Sequence, residues 1–410
     1  MTATTFQERA FSEIIRRGSQ ALSGAGRRYV QLSEERLLDE ARAQTGLQDF
    51  GDPAFQEPLR RLLSSYEHEA RLTLLGRIAA RQDTVRLLAS RLRLIEDRRR
   101  QPGIAEQAIA QPIFVTGLPR TGTTLLHGLL AQDPASRAPL HWEMMYPSPP
   151  SGRFARRGDR RLEQARRQIR WFHRLAPDFR PIHPLGAELP EECLIITSHS
   201  FLSFQFQTSH RVPAYQSWLE AQDLTPAYRQ HREILQQLQW HSPARQWILK
   251  APAHLYGIAA LFAVYPDAGV VLTHRDPLAV AASVASLHTV LRGTFSDGAD
   301  PHEIGDEVCR RWAEGINRAL RVRDSGTVPA DRFVDVMYGD LLRDPIAVVR
   351  RVYEHFGRSL SPAAEERMRR FLAAHPKDRY GRHRYSLEQF GLDPDRVRRD
   401  YREYRERFGL

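Results

Sequence analysis

Apolar positions in the first hundred residues recur with the spacing of a helix. Between Leu74 and Ile95, apolar side chains follow one another at intervals of three, four or seven residues, which places them on one helical face. The segment "DRRRQPG" at 97–103 then ends the pattern with charge, proline and glycine. The pattern predicts a helical N-terminal extension over residues 1–105.

A different pattern begins at residue 112, where short apolar runs alternate with helical segments. These runs are rich in β-branched residues and are typical of buried strands. They cover residues 112–118, 246–250, 269–275 and 332–338. Strands that alternate with helices predict an α/β domain over residues 106–410, with a central parallel sheet between two layers of helices.

The loop after the first predicted strand has the frame of a phosphate-binding loop without its lysine. Residues 117–124 read "GLPRTGTT", so Gly117, Gly122 and Thr124 match G-x-x-x-x-G-K-[ST], while Thr123 stands at the lysine position. The backbone N–H groups of such a loop attract an anion. Because the lysine reaches the β- and γ-phosphates of a triphosphate, its absence argues against triphosphate chemistry. The strand–loop–helix order predicts a P-loop-type three-layer α/β/α fold.

A second candidate anion site follows the third predicted strand. This strand ends at Arg275, and Ser283 follows in the second turn of the next predicted helix. Both residues can face the crevice at the carboxyl edge of the sheet, where α/β proteins bind ligands. Since arginine and a hydroxyl together suit an anion, the loop and this pair predict one ligand with two anionic groups.

Arginine dominates the basic residues of the chain, which has a formal net charge of +11. Lys250 and Lys377 are the two lysines among 60 basic residues. A lysine retained in such a chain marks a site that needs a compact ammonium donor. The excess charge fits solvated arginine-rich helix faces or an anionic ligand. No basic motif with interleaved aromatic residues indicates a nucleic-acid partner.

The cysteines and the apolar runs narrow the class of protein further. Only Cys193 and Cys309 occur, which excludes a disulfide framework and a four-thiolate zinc site. The N-terminal segment lacks the apolar stretch of a signal peptide. No apolar run approaches the ~18 residues of a spanning helix. We therefore expect a cytoplasmic protein with no integral membrane segment.

Together the two anion motifs resemble those of the sulfotransferases that use 3′-phosphoadenosine 5′-phosphosulfate (PAPS). The segment "FVTGLPRTGTTLLHGLL" is similar to their 5′-phosphosulfate loop, and "LTHRDPLAVAASV" is similar to their 3′-phosphate motif with the same Arg-to-Ser spacing. The segments "LKAP" and "MYGDLLRDP" resemble those of protein-tyrosine sulfotransferases. The similarity is strongest to bacterial sulfotransferase-family proteins with a helical N-terminal extension, and it runs from about residue 35 to the C-terminus.

The resemblance implies PAPS as the co-substrate, adenosine 3′,5′-bisphosphate (PAP) as the product, and no metal. A late basic segment of this family closes over the nucleotide, and "KDRYGRHRYSLEQFGL" at 377–392 is its counterpart. The residues expected at the nucleotide are Arg120, Thr121, Gly122, Thr123, Thr124, Leu125, Arg275, Ser283, Tyr338, Lys377, Arg382, Tyr385 and Ser386.

The expected catalytic groups are a base for the acceptor and cations for the leaving nucleotide. Glu143 resembles the glutamate base of tyrosine sulfotransferases, and His141 is the rival because its ordinary pKa is near neutrality. Arg120 and Lys250 are expected to stabilise the charge that develops on the leaving oxygen.

The acidic segment "HPLGAELPEEC" at 183–193 is a candidate wall of the acceptor pocket. The side chains expected to bind the acceptor are His141, His183, Glu188 and Glu192, and Glu191 could line the same pocket.

Two other functions stay open on sequence alone. A kinase or ATPase of the P-loop type would bind ATP and Mg²⁺, which the missing lysine disfavours. A non-catalytic protein would bind PAP and transfer nothing, which Glu143 and Lys250 disfavour. The acceptor can be a small molecule, lipid, glycan or peptide, and the oligomeric state is not encoded in any pattern.

Overall fold

A parallel sheet of five strands lies at the centre of the protein. The computed structural model describes residues 3–149, 159–243, 245–375 and 385–410. The strands are β1 Ile113–Gly117, β2 Ser136–Arg137, β3 Gln246–Lys250, β4 Gly269–His274 and β5 Phe333–Met337. Their spatial order is β2-β3-β1-β4-β5. Each neighbouring pair is parallel, so the predicted α/β fold with a central parallel sheet is confirmed.

Helices surround the sheet and form the whole N-terminal region. Before β1 the helices are α1 Ala3–Ala21, α2 Ser23–Tyr29, α3 Glu34–Thr45, α4 Gln56–His68 and α5 Leu74–Arg100. Between β1 and β4 they are α6 Thr123–Leu130, α7 His141–Met145, α8 Arg161–Leu175, α9 Leu194–Ser198, α10 Gln205–Ser209, α11 Pro213–Glu220, α12 Thr225–His241 and α13 Ile258–Val264. After β4 they are α14 Pro277–Phe295, α15 Pro301–Asp324, α16 Tyr338–Arg343, α17 Pro345–His355, α18 Pro362–Ala374, α19 Pro394–Asp400 and α20 Arg402–Phe408.

The path of the chain creates a crevice at the carboxyl end of β1. After β1 the chain forms β2 and β3 on one side of it, and it then crosses to form β4 and β5 on the other side. Every residue of β1, β3 and β4 is buried, as expected for parallel strands covered on both faces. Ligands of open α/β sheets bind where the strand order reverses in this way.

The helical extension shares its apolar core with the sheet. Leu62 and Leu92 belong to the same cluster of buried side chains as Trp247 and Leu249 of β3. At Gly76 the backbone of α5 meets the end of α14, because a Cβ atom there would lie 1.9 Å from the carbonyl oxygen of Phe295. The predicted division at residue 105 therefore stays a prediction, although the described residues before β1 are helical as expected.

Helix α14 is buried although its composition resembles that of a membrane span. Among the described helices it is the one candidate long and apolar enough to cross a bilayer. Of its most apolar window, 56% is buried inside the protein. Its packing against α10 and α15 accounts for the apolar composition, as in the core helix of a globular domain.

A buried ion pair joins α14 to α15. The guanidinium of Arg292 donates to both carboxylate oxygens of Glu307, at 2.8 and 2.9 Å, and to the backbone carbonyl of Gln207 at 2.7 Å. Burial alone would raise the pKa of Glu307, but the hydrogen bonds and charge of Arg292 outweigh burial and lower it. Three helices therefore depend on one charged contact that water does not reach.

We expect Glu307→Gln to lower the free energy of unfolding by about 3–5 kcal/mol, because it leaves the buried Arg292 without its counter-charge. Glu314→Gln is the matched control on the same helix, since Glu314 forms an exposed pair with Arg321 at 2.7 Å. That loss should stay below about 1 kcal/mol. Urea unfolding measures both, and equal losses would contradict a special role for the buried pair.

Candidate active site

The loop between β1 and α6 has a backbone that two glycines permit. Gly117 has φ of 144°, and a Cβ atom there would lie 2.4 Å from the carbonyl oxygen of Thr273. Gly122 has φ of 93°, and a Cβ atom there would lie 2.7 Å from Leu341. Both positions combine a conformation that other residues avoid with a close approach of another chain segment. The two glycines of the sequence motif are thus explained by the fold.

The two predicted anion sites lie in direct contact. Arg120 has φ of 68°, in the left-handed region, and its carbonyl oxygen accepts a hydrogen bond from Arg275 at 3.0 Å. Its own guanidinium donates to the carbonyl oxygen of Ile182 at 2.7 Å. The Arg275 guanidinium also lies over the ring of Tyr338, 4.3 Å from the centroid. Arg275 therefore supports the loop as well as offering a charge.

The first turn of α6 offers unpaired N–H groups to a ligand. Helix α6 begins at Thr123, and its N-cap Gly122 provides no side-chain acceptor. The first N–H groups of a helix have no partner within it, and the helix dipole favours negative charge there. This arrangement fits a phosphate or sulfate group without any further donor.

A cavity of about 590 Å³ opens in front of this turn. Predicted residues that line it are Arg120, Gly122, Thr123, Thr124, Leu125, His183, Glu192, Arg275 and Tyr338. The fold thus brings the loop, the carboxyl end of β4, the start of α16 and the acidic segment before α9 around one space. Apolar side chains complete the walls, among them Leu287, Leu341 and Leu372.

Two ion pairs lie next to each other along the chain at one wall of the cavity. Glu192 lines the cavity and accepts a hydrogen bond from the Nζ atom of the buried Lys250 at 2.7 Å. The preceding Glu191 is buried, and both of its oxygens lie 3.1 Å from Nε2 of His183. Burial alone would raise the pKa of Glu191, but the positive charge of His183 and its hydrogen bond, with help from Lys250, lower it to about 2.

Three predicted groups are buried beside the cavity and do not line it. The hydroxyl of Thr121 donates to the carbonyl oxygen of Leu118 at 2.6 Å and lies 2.5 Å from the hydroxyl of Thr273, so it braces the loop. Ser283 is buried in α14, and Lys250 is buried behind Glu192. Their predicted contacts with the nucleotide stay predictions.

Glu143 does not line the cavity, and both of its carboxylate oxygens accept hydrogen bonds from the protein. One oxygen accepts a hydrogen bond from Arg137 at 2.6 Å, and the other accepts from the backbone N–H of Leu140 at 3.0 Å. The same Arg137 donates to the carbonyl oxygen of Leu238 and lies over the ring of Trp247. The carboxylate thus caps α7 and ties it to its neighbours, and the role of base predicted for Glu143 stays a prediction.

The remaining predicted residues lie apart from the cavity or outside the described ranges. His141 is partly buried, and burial and the charge of Arg86 lower its pKa, with no hydrogen bond to Nδ1 among the described residues. Glu188 is exposed and pairs with Arg166 at 2.5 Å. The described Tyr385 and Ser386 do not line the cavity. Lys377 and Arg382 fall outside the described residues.

Sequence reasoning missed the third side of the cavity. His375 at the end of α18 and Leu287 in α14 both line it. Neither residue has a motif around it, and the two are separated by most of the C-terminal third of the chain. The sequence around Leu287 shows only the apolar pattern of α14, and that pattern predicts a buried helix face rather than a role at the site. Among the described residues, no cluster of histidine, cysteine and carboxylate side chains could hold a metal ion.

Comparison with known proteins identifies the family. The model of the sulfotransferase family matches residues 112–362, which include the loop, both ion pairs and Arg275. The chain belongs to the sulfotransferase family.

Relatives from mycobacteria cover most of the chain. The sulfotransferase is 28% identical over 307 residues to the omega-hydroxy-beta-dihydromenaquinone-9 sulfotransferase Stf3 of Mycobacterium bovis, covering 70% of this chain and 73% of the relative. It is 34% identical to the solved sulfotransferase STF1 of Mycobacterium tuberculosis, with a TM-score of 0.79. The match covers 91% of this chain and 99% of STF1. It is 29% identical to the solved sulfotransferase STF9 of Mycobacterium avium, with a TM-score of 0.82. The match covers 92% of this chain and 97% of STF9.

Acid should weaken this sulfotransferase through Glu191. Its pKa of about 2 lies below its ordinary value of 4.5, so its stabilising effect is complete above pH 4.5 and is lost as the pH falls toward 2. We expect up to about 3 kcal/mol of unfolding free energy to depend on this titration. Urea unfolding at a series of pH values should therefore show that the unfolding free energies of the wild type and Glu191→Gln become equal as the pH falls toward 2.

The exposed Glu188 provides the control for this measurement. Glu188→Gln removes a carboxylate three residues away whose ion pair is open to water. Its unfolding free energy should follow that of the wild type across the pH series, because exposed pairs contribute little. A constant offset between the wild type and Glu191→Gln at every pH would mean that Glu191 acts without titrating.

Proposed function

We propose that this sulfotransferase moves a sulfuryl group from PAPS to a hydroxyl acceptor, with Glu192 as the base. The observation that carries the proposal is the cavity itself, since one space is lined by an uncapped helix N-terminus, Arg275 and an ion-paired carboxylate. PAPS carries a phosphosulfate and a separate 3′-phosphate, which correspond to the two anion sites.

The residues at the loop suit the phosphosulfate. The N–H groups at the start of α6 and the hydroxyls of Thr123 and Thr124 line the cavity. Arg120 adds a charge at the same place. Donors fixed in place before the reaction stabilise the charge that develops on a leaving oxygen, which is the largest expected catalytic contribution. Arg275 would take the 3′-phosphate, held in orientation by the ring of Tyr338.

Glu192 suits the role of base better than Glu143. It lines the cavity, and its hydrogen bond to Lys250 orients the carboxylate. In Glu143 the two oxygens already accept hydrogen bonds within the protein. A base must lie within hydrogen-bond reach of the proton that it takes, and Glu192 meets this condition for an acceptor in the cavity.

The residues then divide the step between them. The acceptor oxygen bonds to sulfur while the bond from sulfur to the phosphate oxygen breaks, and PAP leaves with that electron pair. The acceptor proton passes to Glu192. Once Glu192 is neutral, the ammonium of Lys250 is no longer paired and can stabilise negative charge in the cavity. His183, fixed by Glu191, lies on the same wall and can orient the acceptor hydroxyl.

The walls of the cavity favour an apolar alcohol as the acceptor. Leu287, Leu341, Leu342 and Leu372 line it together with Ile182. Apolar walls with a few placed polar groups are typical of sites for small lipophilic ligands. The name of the relative Stf3 gives a menaquinone derivative with a hydroxyl group as that protein's substrate, which supports the same class here.

The donor prediction is tested by ligand-dependent stability. PAP should raise the melting temperature far more than ATP with Mg²⁺, because it matches two anion sites and needs no loop lysine. In Arg275→Ala the preference for PAP over adenosine 5′-phosphate should fall by roughly 10- to 100-fold, as expected for a lost charged hydrogen bond. Equal stabilisation by ATP and Mg²⁺ would overturn the proposal.

The base prediction is tested by two carboxylate variants. Glu192→Gln should leave PAP affinity nearly unchanged and lower turnover of a lipophilic alcohol by roughly 10²- to 10⁴-fold, the usual contribution of a positioned base. Glu143→Gln should retain most of its turnover and instead melt at a lower temperature, because Arg137 loses its partner. Initial rates and calorimetry measure both variants. An inactive Glu143→Gln beside an active Glu192→Gln would assign the base to Glu143.

A further inference from the structure

A second cavity, larger than the first, lies between the helical extension and α8. Its volume is about 1170 Å³, and no residue lines both cavities. One face of α5 forms its floor from Leu75 to Arg100, and residues 160–175 form the opposite wall. Ligand sites of drug size occupy roughly 300–1,000 Å³, so this space can hold a ligand longer than a small metabolite.

Polarity changes along the floor of this cavity. The first half of the floor is mainly apolar, with Leu75, Ile78, Val85 and Ala89, although Gln82 and Arg86 also line it and Arg86 is paired with Asp83. The second half presents Arg93 and Arg100. Eighteen residues separate Leu75 from Arg93, or about 27 Å along a helix, which is the length of a long alkyl chain with its head group.

The opposite wall, formed by α8, is likewise apolar at one end and basic at the other. Phe172 and Leu175 of α8 line the cavity with Phe295, whose carbonyl oxygen accepts from Thr73 at the start of α5. The other end of α8 lies near the basic half. The charges of Arg161 in α8 and Asp97 in α5 both act on the imidazole of His241. Burial and Arg161 lower the pKa of His241, whereas Asp97 raises it, so Arg161 and Asp97 lie near the same side chain.

Only part of the charge at the basic end is neutralised by ion pairs. Six arginines line the cavity, and three of them, Arg86, Arg100 and Arg161, pair with Asp83, Glu96 and Asp159. The side chains of Arg93, Arg160 and Arg167 form no hydrogen bond or ion pair with any residue in the described ranges. Arg93 is partly buried, and burial lowers its pKa more than the nearby charge of Asp97 raises it, so a bound anion would stabilise the guanidinium.

We propose that this cavity binds an anionic amphiphile, with its alkyl chain along the apolar half of α5 and its head group on Arg93. The head group is a carboxylate or a phosphate, as in a fatty acid or a phospholipid. The site is separate from the transfer cavity, and the inference does not depend on the reaction proposed for that cavity.

Calorimetry on the full chain with three probes below their micelle concentrations tests the chemistry. Dodecyl phosphate carries both features, dodecyl maltoside carries the chain alone, and inorganic phosphate carries the anion alone. We expect binding of dodecyl phosphate at one site per chain and weak binding of the other two. Dodecanoate in place of dodecyl phosphate distinguishes a fatty acid from a phospholipid as the source. Equally tight binding of the maltoside or of inorganic phosphate would overturn the proposal.

Variants locate the site. Arg93→Gln should weaken dodecyl phosphate roughly 10- to 100-fold, as expected when a charged hydrogen bond is lost. Arg99→Gln is the matched control, because Arg99 lies on the same helix, is exposed and pairs with Glu96. Ala79→Phe should weaken binding by filling the apolar half of the cavity.

Stabilisation by PAP should be unchanged in all three variants, which would show that they are folded and that the transfer cavity is intact. Displacement of dodecyl phosphate by PAP, or an unaffected Arg93→Gln, would place the probe elsewhere and overturn the proposal.

Discussion

The active site depends on a left-handed backbone at Arg120. A residue with a side chain adopts this conformation only when its surroundings hold it there, at a cost on the order of 1–3 kcal/mol. Here Arg275 donates to the carbonyl oxygen of Arg120, and the hydroxyl of Thr121 donates back to Leu118. These contacts turn the loop so that the N–H groups of α6 face the cavity. The strand ends, the helix start and the two anion sites therefore form one unit.

One wall of the cavity depends on two adjacent glutamates with different partners. Glu191 is buried and paired with His183, whereas Glu192 is partly exposed and paired with Lys250. Neighbouring residues outside a helix can point in different directions, so one short segment supplies both a buried ion pair and a carboxylate that lines the cavity. The difference has a physical cause, since burial would raise the pKa of Glu191 and its positively charged partners lower it, whereas Glu192 lines the cavity.

The extension has a structural role and offers a surface of its own. Its helices complete the apolar core that the sheet begins, and α5 runs along that core for 27 residues. A helix of this length is stabilised by its packed face and leaves its other face available. That second face changes from apolar to basic along its length, which is the feature that makes the large cavity suitable for an amphiphile.

Much of this arrangement was predictable from short-range pattern. Four strands followed from apolar runs, and the strand–loop–helix turn followed from glycine spacing, because a tight turn in the backbone requires glycine at particular positions. The phosphate-binding role of the loop and of Arg275 stays a prediction. Lys250 stood out as one of two lysines, and its partner Glu192 was named, but their contact joins segments 58 residues apart. The two-residue strand β2 was missed, since it is too short to show any periodicity.

Only the tertiary structure shows which charged groups line the cavity. Sequence spacing favoured Glu143 as the base, and the fold pairs it with Arg137, which is directed toward it from β2. No sequence pattern shows that pairing, because it depends on how α7 packs against β2 and β3. The sequence determined the sheet, the loop and the family, since those follow from local periodicity and motif. Which carboxylate lines the cavity, and which cation each one pairs with, depends on long-range packing, because burial and partner distance are properties of the folded chain.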